Sequence, residues 1–467
     1  MPEHVLLRAA PPTAPRRAST PARPAGQLLQ QVLLQLDARL GGEPDCGHPM
    51  YLAHMRKPPH AVARAAYART LHRQLNNHPY DGAGASSGME LECVRQLGGL
   101  FGWRRPLGHL CGGGTLANLE AAWLAREGLR ERFGQAAEVV LAGSTQAHYC
   151  HARHARLLGM RWEPVASDWR GRMLPQALQR VLERGAATCV VASVGTPALG
   201  AVDPLPEIAA LCARHGARLH ADGSYGAYHV LAGNLDRATR AAVDALSEAD
   251  SIVVDPHKHG LQPYGCGCVL LRDRATSEEP TQAGAFPAPV VSRGAKGPPA
   301  QDPDYVYDDA HGPHLGRIAL EGSRPGASAA ALWATLRLLP LVRGGEFAAA
   351  LERSRQAALA LWQALHDDAH WVMLAPPQLD VLAWGVRAGG VAESSRRARA
   401  VQQAARERGL HLSLTRLPGE AAVARAGMAW DGPQWLGLRA CVMKPGQLDW
   451  VERIHGALRA AVRTVAC

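Results

Sequence analysis

Membrane-length apolar runs, paired cysteines and aromatic residues are all scarce in this chain of 467 residues. Hydrophobic residues make up 47% of it, yet none form the run of about 18 that a membrane helix requires. The ten cysteines are scattered without a C-x-x-C pair, which argues against a disulfide framework and a ribbon-type zinc site. We therefore expect a protein of the cytoplasm that has reduced thiols and no membrane partner.

Dense basic clusters are also lacking, although 51 Lys and Arg against 41 Asp and Glu give a net charge of +10. The excess is rich in arginine, poor in lysine and spread along the chain, with short runs at Arg16–Arg17 and Arg396–Arg397. A groove for phosphate backbones normally combines denser basic clusters with aromatic side chains, which are only 5% here. We predict no nucleic-acid partner.

Residues 1–26 are rich in Ala, Pro and Arg and lack the apolar core of a signal peptide. Their prolines would break the amphipathic helix of a transit peptide, so we expect a disordered arm. Apolar residues then recur at helical spacing from Leu28 to Leu40, which predicts a helical segment within 27–75. The broad apolar stripe of this helix favours a role in dimer contacts.

Short apolar runs alternate with helical runs between residues 117 and 270. This alternation predicts an α/β fold with a mainly parallel sheet between helices. The predicted strands are 138–142, 188–193, 218–221, 251–254 and 268–271. Residues 276–316 form a long irregular excursion, and mixed helices and strands follow. We expect a large domain over 76–339 and a smaller α+β domain over 340–467.

Two charged residues follow predicted strands that are one strand–helix–strand unit apart. Asp222 ends one apolar run, and Lys258 comes just after the next in Asp-Pro-His-Lys-His. Ligands of open α/β sheets bind at the carboxyl ends of the strands, so both can reach one site. We expect His257 and His259 to lower the pKa of Lys258. The alternatives are a solvated lysine in a turn and an Asp222 that caps a helix.

A glycine-rich turn, Gly112-Gly113-Gly114-Thr115, leads directly into a predicted helix. Glycines allow close backbone approach, and a helix N-terminus offers free N–H groups, which together suit an anion such as phosphate. The spacing fits neither a Walker motif nor a Rossmann fingerprint, and a plain glycine-rich turn remains the alternative.

Four potential metal ligands occur in His148-x-Cys150-His151-x-x-His154. No carboxylate accompanies them, and His151 and His154 share a helix face with Arg-rich neighbours, so we predict no metal here. We favour one functional histidine, His148, at the start of a helix, with the other side chains on the helix surface.

The order of these motifs, with Gly195-Thr196 between them, resembles that of pyridoxal-phosphate enzymes of the aspartate-aminotransferase fold. In detail the chain resembles the group II amino-acid decarboxylases over about residues 45–450, including 77–92 and 320–326. The resemblance implies fold type I, the transferase fold of these enzymes: a mainly parallel sheet of the seven-stranded type between helices, and a smaller α+β C-terminal domain. It also implies pyridoxal 5'-phosphate as the cofactor.

The resemblance implies roles for three catalytic residues. Lys258 would bond covalently to the cofactor aldehyde, and Asp222 would keep the pyridine nitrogen protonated so that the ring accepts electrons. His148 would stack on the ring.

Five further residues are implied as cofactor contacts by the same resemblance. Gly114, Thr115 and His257 would hold the phosphate, and Thr196 would lie beside the ring. Ser224 stands where the family usually has alanine. Unlike the family's frequent asparagine, residue 255 is an aspartate, which adds a negative charge near the phosphate.

The activity implied is decarboxylation of an L-amino acid to an amine and CO2 by a homodimer with shared active sites. The segment containing Arg324 resembles the family's cross-subunit element, with a surface salt bridge as the alternative.

Tyr305 and Tyr307 are the phenols in the lid between Asp302 and Gly316, and neither aligns securely with the family's proton donor. Oxidative deamination to an aldehyde therefore stays open. Similarity to the tyrosine decarboxylase and sphingosine-phosphate lyase branches also leaves retro-aldol cleavage open, whereas the intact Lys258 and Asp222 argue against a non-catalytic homologue. The sequence does not specify which amino acid is used.

Overall fold

The computed structural model describes residues 25–78, 84–272 and 319–466, within two units, 1–45 and 46–467. The described part of the first unit contains the helix α1, Ala25–Leu40, which confirms the predicted N-terminal helix. Its apolar side chains from Leu28 to Leu40 are about half exposed. Most of the predicted arm, the lid, Tyr305 and Tyr307 lie outside the described residues.

The second unit contains a seven-stranded sheet in the order β1-β7-β6-β5-β4-β2-β3. Its strands are β1 (Pro106–Cys111), β2 (Val139–Ser144), β3 (Arg161–Val165), β4 (Ala187–Ser193), β5 (Arg218–Asp222), β6 (Ser251–Val254) and β7 (Gly267–Arg272). β7 runs antiparallel to both of its neighbours, β1 and β6, whereas the other six strands run in one direction. The predicted mainly parallel sheet is confirmed.

Helices cover both faces of this sheet, so its central strands are continuous apolar runs rather than alternating ones. The helices are α2 (Ala61–Thr70), α3 (Ala85–Gly99), α4 (Gly114–Phe133), α5 (Cys150–Leu157), α6 (Pro175–Leu182), α7 (Leu205–His215), α8 (Arg237–Asp244) and α9 (Gly326–Leu338). The sequence analysis missed β1 and β3. Gly108 interrupts the apolar pattern of β1, and β3 is a half-buried edge strand that contains Pro164.

A second sheet has four antiparallel strands in the order β10-β11-β9-β8. The strands are β8 (Trp371–Met373), β9 (Val381–Val386), β10 (Ser413–Arg416) and β11 (Leu436–Cys441). The helices α10 (Glu346–His366), α11 (Val391–Glu407), α12 (Glu420–Arg425) and α13 (Val451–Ala466) belong to the same part of the chain. Within the described ranges, no helix has the length and apolarity needed to cross a bilayer.

Candidate active site

The carboxyl ends of β5 and β6 bring Asp222 and Lys258 to one edge of the sheet, as predicted. Asp222 is the last residue of β5 and pairs in register with Val253 of the adjacent parallel strand β6. Lys258 follows β6 after one turn, in which its backbone N–H donates to the carbonyl of Asp255. Connectivity of parallel strands thus places both residues above the same pair of strands.

Lys258 forms an ion pair with Asp255, because its Nζ lies 2.9 Å from Asp255 Oδ2. Burial alone would lower the pKa of Lys258, but the carboxylates of Asp255 and Asp222 outweigh it and raise the pKa. The expectation that His257 and His259 lower this pKa is therefore wrong. The Lys258 side chain is 20% exposed, so its amine is also not a freely solvated one.

Asp222 is held as a carboxylate by donors on both of its oxygens. His151 Nε2 lies 2.9 Å from Oδ2, and the hydroxyl of Ser224 donates to Oδ1 at 2.5 Å. Burial pushes the pKa of Asp222 upward, but His151, Ser224 and the charge of Lys258 hold it well below its usual range. Asp222 does not cap a helix, because the next helical turn begins at Ala227.

The expectation that the histidines after His148 lie on the helix surface is wrong. Residues Cys150, His151, His154 and Ala155 form the buried face of α5, which presents His151 to Asp222. The spacing of this face is helical, so the sequence did contain a signal for His151. His148 lies half-buried just before α5, and burial lowers its pKa. Cys150, His151 and His154 come within 4.8 Å of one another, but Nε2 of His151 already contacts Asp222.

The glycine-rich turn forms a narrow cup against the Lys258 segment. A Cβ on Gly114, the first residue of α4, would lie 2.7 Å from both Asp255 Oδ2 and Ser224 Oγ. A Cβ on Gly113 would lie 3.3 Å from the ring of His257. Thr115 is exposed in the first turn of α4, where Gly113 provides no side-chain cap for the free N–H groups. The cup therefore combines uncapped N–H groups with close backbone approach, two features that suit an anion.

His257 and Thr196 have hydrogen bonds to the backbone. Nδ1 of buried His257 lies 2.7 Å from the Cys266 carbonyl, so Nδ1 carries a proton and Nε2 is left for another partner. Burial lowers the pKa of His257. Thr196 is fully buried after β4, and its hydroxyl oxygen accepts from the N–H of Ala201 at 3.0 Å.

A buried polar chain that the sequence analysis missed connects the cup to the sheet. Asn118 donates from Nδ2 to the Gly114 carbonyl at 2.7 Å, and its Oδ1 lies 2.7 Å from His220 Nε2. His220 Nδ1 lies 2.8 Å from the hydroxyl of Ser251. Burial lowers the pKa of His220 to about 3, so the ring is neutral and donates to Asn118. Nothing local marks these residues as neighbours, since they come from α4, β5 and β6.

Arg324 is buried, so the alternative of a surface salt bridge is wrong, and the cross-subunit role stays a prediction. Its buried guanidinium forms an ion pair with Glu90 and donates to the Leu110 carbonyl at 2.8 Å. Glu90 also accepts from the N–H of Leu110 at 2.7 Å. The pair therefore stabilises the end of β1, directly before the cup.

Comparisons with known proteins agree with this geometry. Residues 70–282 match the family model described as the pyridoxal-dependent decarboxylase conserved domain. Cysteine sulfinic acid decarboxylase of Rattus norvegicus is 31% identical over 267 residues, which are 53% of this chain and 52% of that protein. L-2,4-diaminobutyrate decarboxylase of Rhizobium meliloti is 36% identical over 242 residues, which are 49% of this chain and 47% of that protein. The chain thus spans about half the length of the curated relatives it matches.

Solved structures show the same fold. The crystal structure of mouse CSAD has a TM-score of 0.74 at 21% identity and covers 95% of this chain and 90% of that one. Oryza sativa TDC with PLP and tryptamine has a TM-score of 0.74 at 17% identity and covers 96% and 92% of the two chains. The matched residues include Gly114 at the start of α4, Asp222 at the end of β5 and Lys258 in the turn after β6. Residues 70–282 are therefore similar to the pyridoxal-dependent decarboxylase conserved domain, and the fold of the chain is that of these solved structures.

Proposed function

We propose that this protein decarboxylates an L-amino acid to the corresponding amine and CO2 with pyridoxal phosphate. The observation that carries the proposal is the placement of Lys258 and an ionised Asp222 at adjacent strand ends, beside a glycine cup. Relatives named as cysteine sulfinic acid, diaminobutyrate and aromatic amino-acid decarboxylases support it.

The donor set fits pyridoxal phosphate. The cup, at which a Cβ on Gly114 would collide with its neighbours, suits a phosphate that needs close backbone contact, with Thr115 and His257 beside it. Asp222 would face the pyridine nitrogen, and Lys258 the aldehyde. His148 would cover the ring, with Thr196 and Ser224 at its edge.

When bound, pyridoxal phosphate accepts the electron pair left behind as CO2 departs. Asp222, kept charged by His151 and Ser224, would hold a proton on the pyridine nitrogen of the cofactor. Lys258 must lose a proton before its amine can act as a nucleophile, and Asp255 Oδ2, 2.9 Å away, opposes that loss because its charge raises the pKa of the ammonium.

His148 is a further residue that can donate a proton. Its Nδ1 accepts from the N–H of Cys150 at 3.3 Å, so Nε2 of the neutral ring carries the proton. Because burial lowers the pKa of His148, the ring is neutral near pH 7 and can donate from Nε2 to an oxygen of the substrate.

A panel of amino acids tests the reaction. The panel includes cysteine sulfinate, 2,4-diaminobutyrate and aromatic amino acids, and CO2, amine, ammonia and hydrogen peroxide are measured for each. We expect CO2 and amine in equal amounts from at least one substrate and none with Lys258→Ala. Aldehyde with ammonia and peroxide would indicate oxidative deamination, and cleavage without CO2 would indicate a lyase; either result overturns the proposal.

We also infer that the protein acts as a homodimer with shared active sites in the cytoplasm. The exposed apolar side chains of α1 support a dimer, since a two-fold interface is the commonest way to bury such a stripe. The nine described cysteines form no disulfide, which supports a reducing compartment. The separate sheet and apolar cluster of β8–β11 support a domain boundary near residue 340.

A further inference from the structure

Three buried polar side chains lie together outside the cofactor site, where the segment after β6 meets the four-stranded sheet. They are His229 in the turn Ala227–Leu231, His259 next to Lys258, and Asp380 just before β9. All three side chains are 0% exposed. Among the described residues, Nε2 of His229, both ring nitrogens of His259 and Oδ2 of Asp380 have no hydrogen-bond partner. Buried polar atoms without partners are rare and require an explanation such as a bound ion.

The distances in this cluster suit metal ligands better than hydrogen bonds. Asp380 Oδ2 lies 3.4 Å from Nε2 of His259 and 3.8 Å from Nε2 of His229. Hydrogen bonds between such atoms are usually no longer than about 3.2 Å. Two ligands that each lie about 2.0–2.2 Å from a tetrahedral zinc ion are roughly 3.4 Å apart. One ligand atom from each residue lies within 4.8 Å of the others, so small side-chain shifts would close the site.

We propose that His229, His259 and Asp380 bind one divalent transition-metal ion of the zinc type, which links the Lys258 segment to the four-stranded sheet. Two imidazoles and one carboxylate form a common ligand set for such ions. The phenol of Tyr225 donates to the other oxygen of Asp380, Oδ1, at 2.6 Å. This contact orients the carboxylate in the way that outer hydrogen bonds orient metal ligands.

Lys57 and Lys444 are charged neighbours of Asp380 that oppose a metal, and Lys57 has the larger effect on its carboxylate. Lys57 is buried near Asp380, whose charge attracts it, and its Nζ lies 3.5 Å from the Met443 carbonyl. A metal ion must compete with this ammonium for the single carboxylate. Replacing it by a neutral chain of similar size, Lys57→Met, should therefore strengthen metal binding.

The holoenzyme from cells grown with added zinc chloride tests the proposal. Because the ligands are fully buried, the ion enters as the chain folds and exchanges slowly, so it should survive purification. We expect about one zinc ion per chain by elemental analysis. Anomalous scattering at the zinc edge should give a peak between the three side chains. Zinc-free protein, or a peak elsewhere, would overturn the proposal.

Variants identify the ligands. His259→Ala and Asp380→Asn should reduce zinc to background, whereas His154→Ala, from the cluster beside Asp222, should retain it. Loss of zinc in the His154 variant alone would assign the ion to that other cluster and refute our assignment. Circular dichroism shows whether each variant is folded.

Refolding provides a measurement that does not depend on those variants being stable as purified. Protein unfolded with a chelator and refolded with zinc chloride should melt at a higher temperature than protein refolded without it. The difference should increase in Lys57→Met and vanish in Asp380→Asn. Equal melting temperatures for the original protein with and without zinc would contradict a structural metal.

Discussion

At the scale of single residues, the carboxylates around Lys258 decide how its amine behaves. Asp255 and Asp222 raise the pKa of this lysine although burial opposes them. The amine is therefore protonated through the neutral range and needs a proton acceptor before it can react. Asp255 holds the proton on this amine, which is the opposite of the pKa-lowering role first assigned to the flanking histidines.

Lys258→Ala should abolish both turnover and the visible absorption band of the cofactor joined to the lysine, while the fold is kept. The chain has only four lysines, Lys57, Lys258, Lys296 and Lys444, so borohydride reduction followed by peptide mapping can identify the attachment site. Reduced cofactor on any lysine other than Lys258 would contradict the assignment.

Asp255→Asn should lower the pKa of Lys258, because it removes the largest favourable charge on the ammonium. More of the amine is then neutral at a given pH, so apoenzyme should capture the cofactor faster. The pH profile of the capture rate should move to lower pH. Asp449→Asn, an exposed carboxylate that pairs with Arg353, is the matched control and should leave the profile in place. An unmoved profile for the Asp255 variant would show that Asp255 does not raise the pKa of Lys258.

Asp222→Asn should retain cofactor but slow turnover by roughly a hundredfold, since about 3 kcal/mol of charge-assisted hydrogen bonding is lost at about 1.4 kcal/mol per tenfold. Ser224→Ala removes only one neutral donor to Asp222 Oδ1 and should cost about tenfold or less. Steady-state kinetics of both variants check this order. Near-normal turnover in Asp222→Asn would mean that the carboxylate has no part in the reaction.

At the scale of elements, the start of α4 and the buried face of α5 converge on the ends of β5 and β6. The first residue of α4, Gly114, must be small, because a Cβ at this position would collide with Asp255 and Ser224. α5 presents His151 to Asp222 because its buried stripe faces the sheet. The start of one helix and the buried face of another thus determine the shape of the site.

Gly114→Ala should weaken cofactor binding by about tenfold or more, equal to at least about 1.4 kcal/mol. Its Cβ would lie 2.7 Å from Asp255 Oδ2 and Ser224 Oγ, so the cup must widen. Gly112→Ala is the matched control, because a Cβ there meets no atom within 4 Å. Cofactor titration of both apoproteins measures the difference. Equal affinities would show that the tight approach at Gly114 is not needed.

At the scale of the whole molecule, the exposed apolar stripe of α1 is the feature that favours binding to a partner chain. Half-exposed side chains recur from Leu28 to Leu40. A second copy of the chain is the partner in the proposed homodimer.

Deleting residues 1–24 should leave the dimer intact, whereas deleting residues 1–40 should weaken it because the stripe is lost. Sedimentation at micromolar concentration with bound cofactor measures both. A full-length protein that sediments as an active monomer would refute the dimer.

The sequence by itself determined the mainly parallel sheet and the edge at which the site forms. Apolar runs that alternate with helical runs specify β2, β4, β5, β6 and β7, since periodicity is a local property. Asp222 and Lys258 follow two such runs, so parallel connectivity alone placed them together. Resemblance to the family added the cofactor and the residue roles.

The partners of those residues were decided only by the tertiary structure. His151 reaches Asp222, and Arg324 reaches Glu90, across long stretches of chain, so no local pattern specifies either pair. The pKa of Lys258 followed the same rule: its sequence neighbours suggested a lowered value, but the summed charges in the folded site raised it. Electrostatic and packing interactions depend on distances in space, and the periodicity of apolar residues along the chain does not specify those distances.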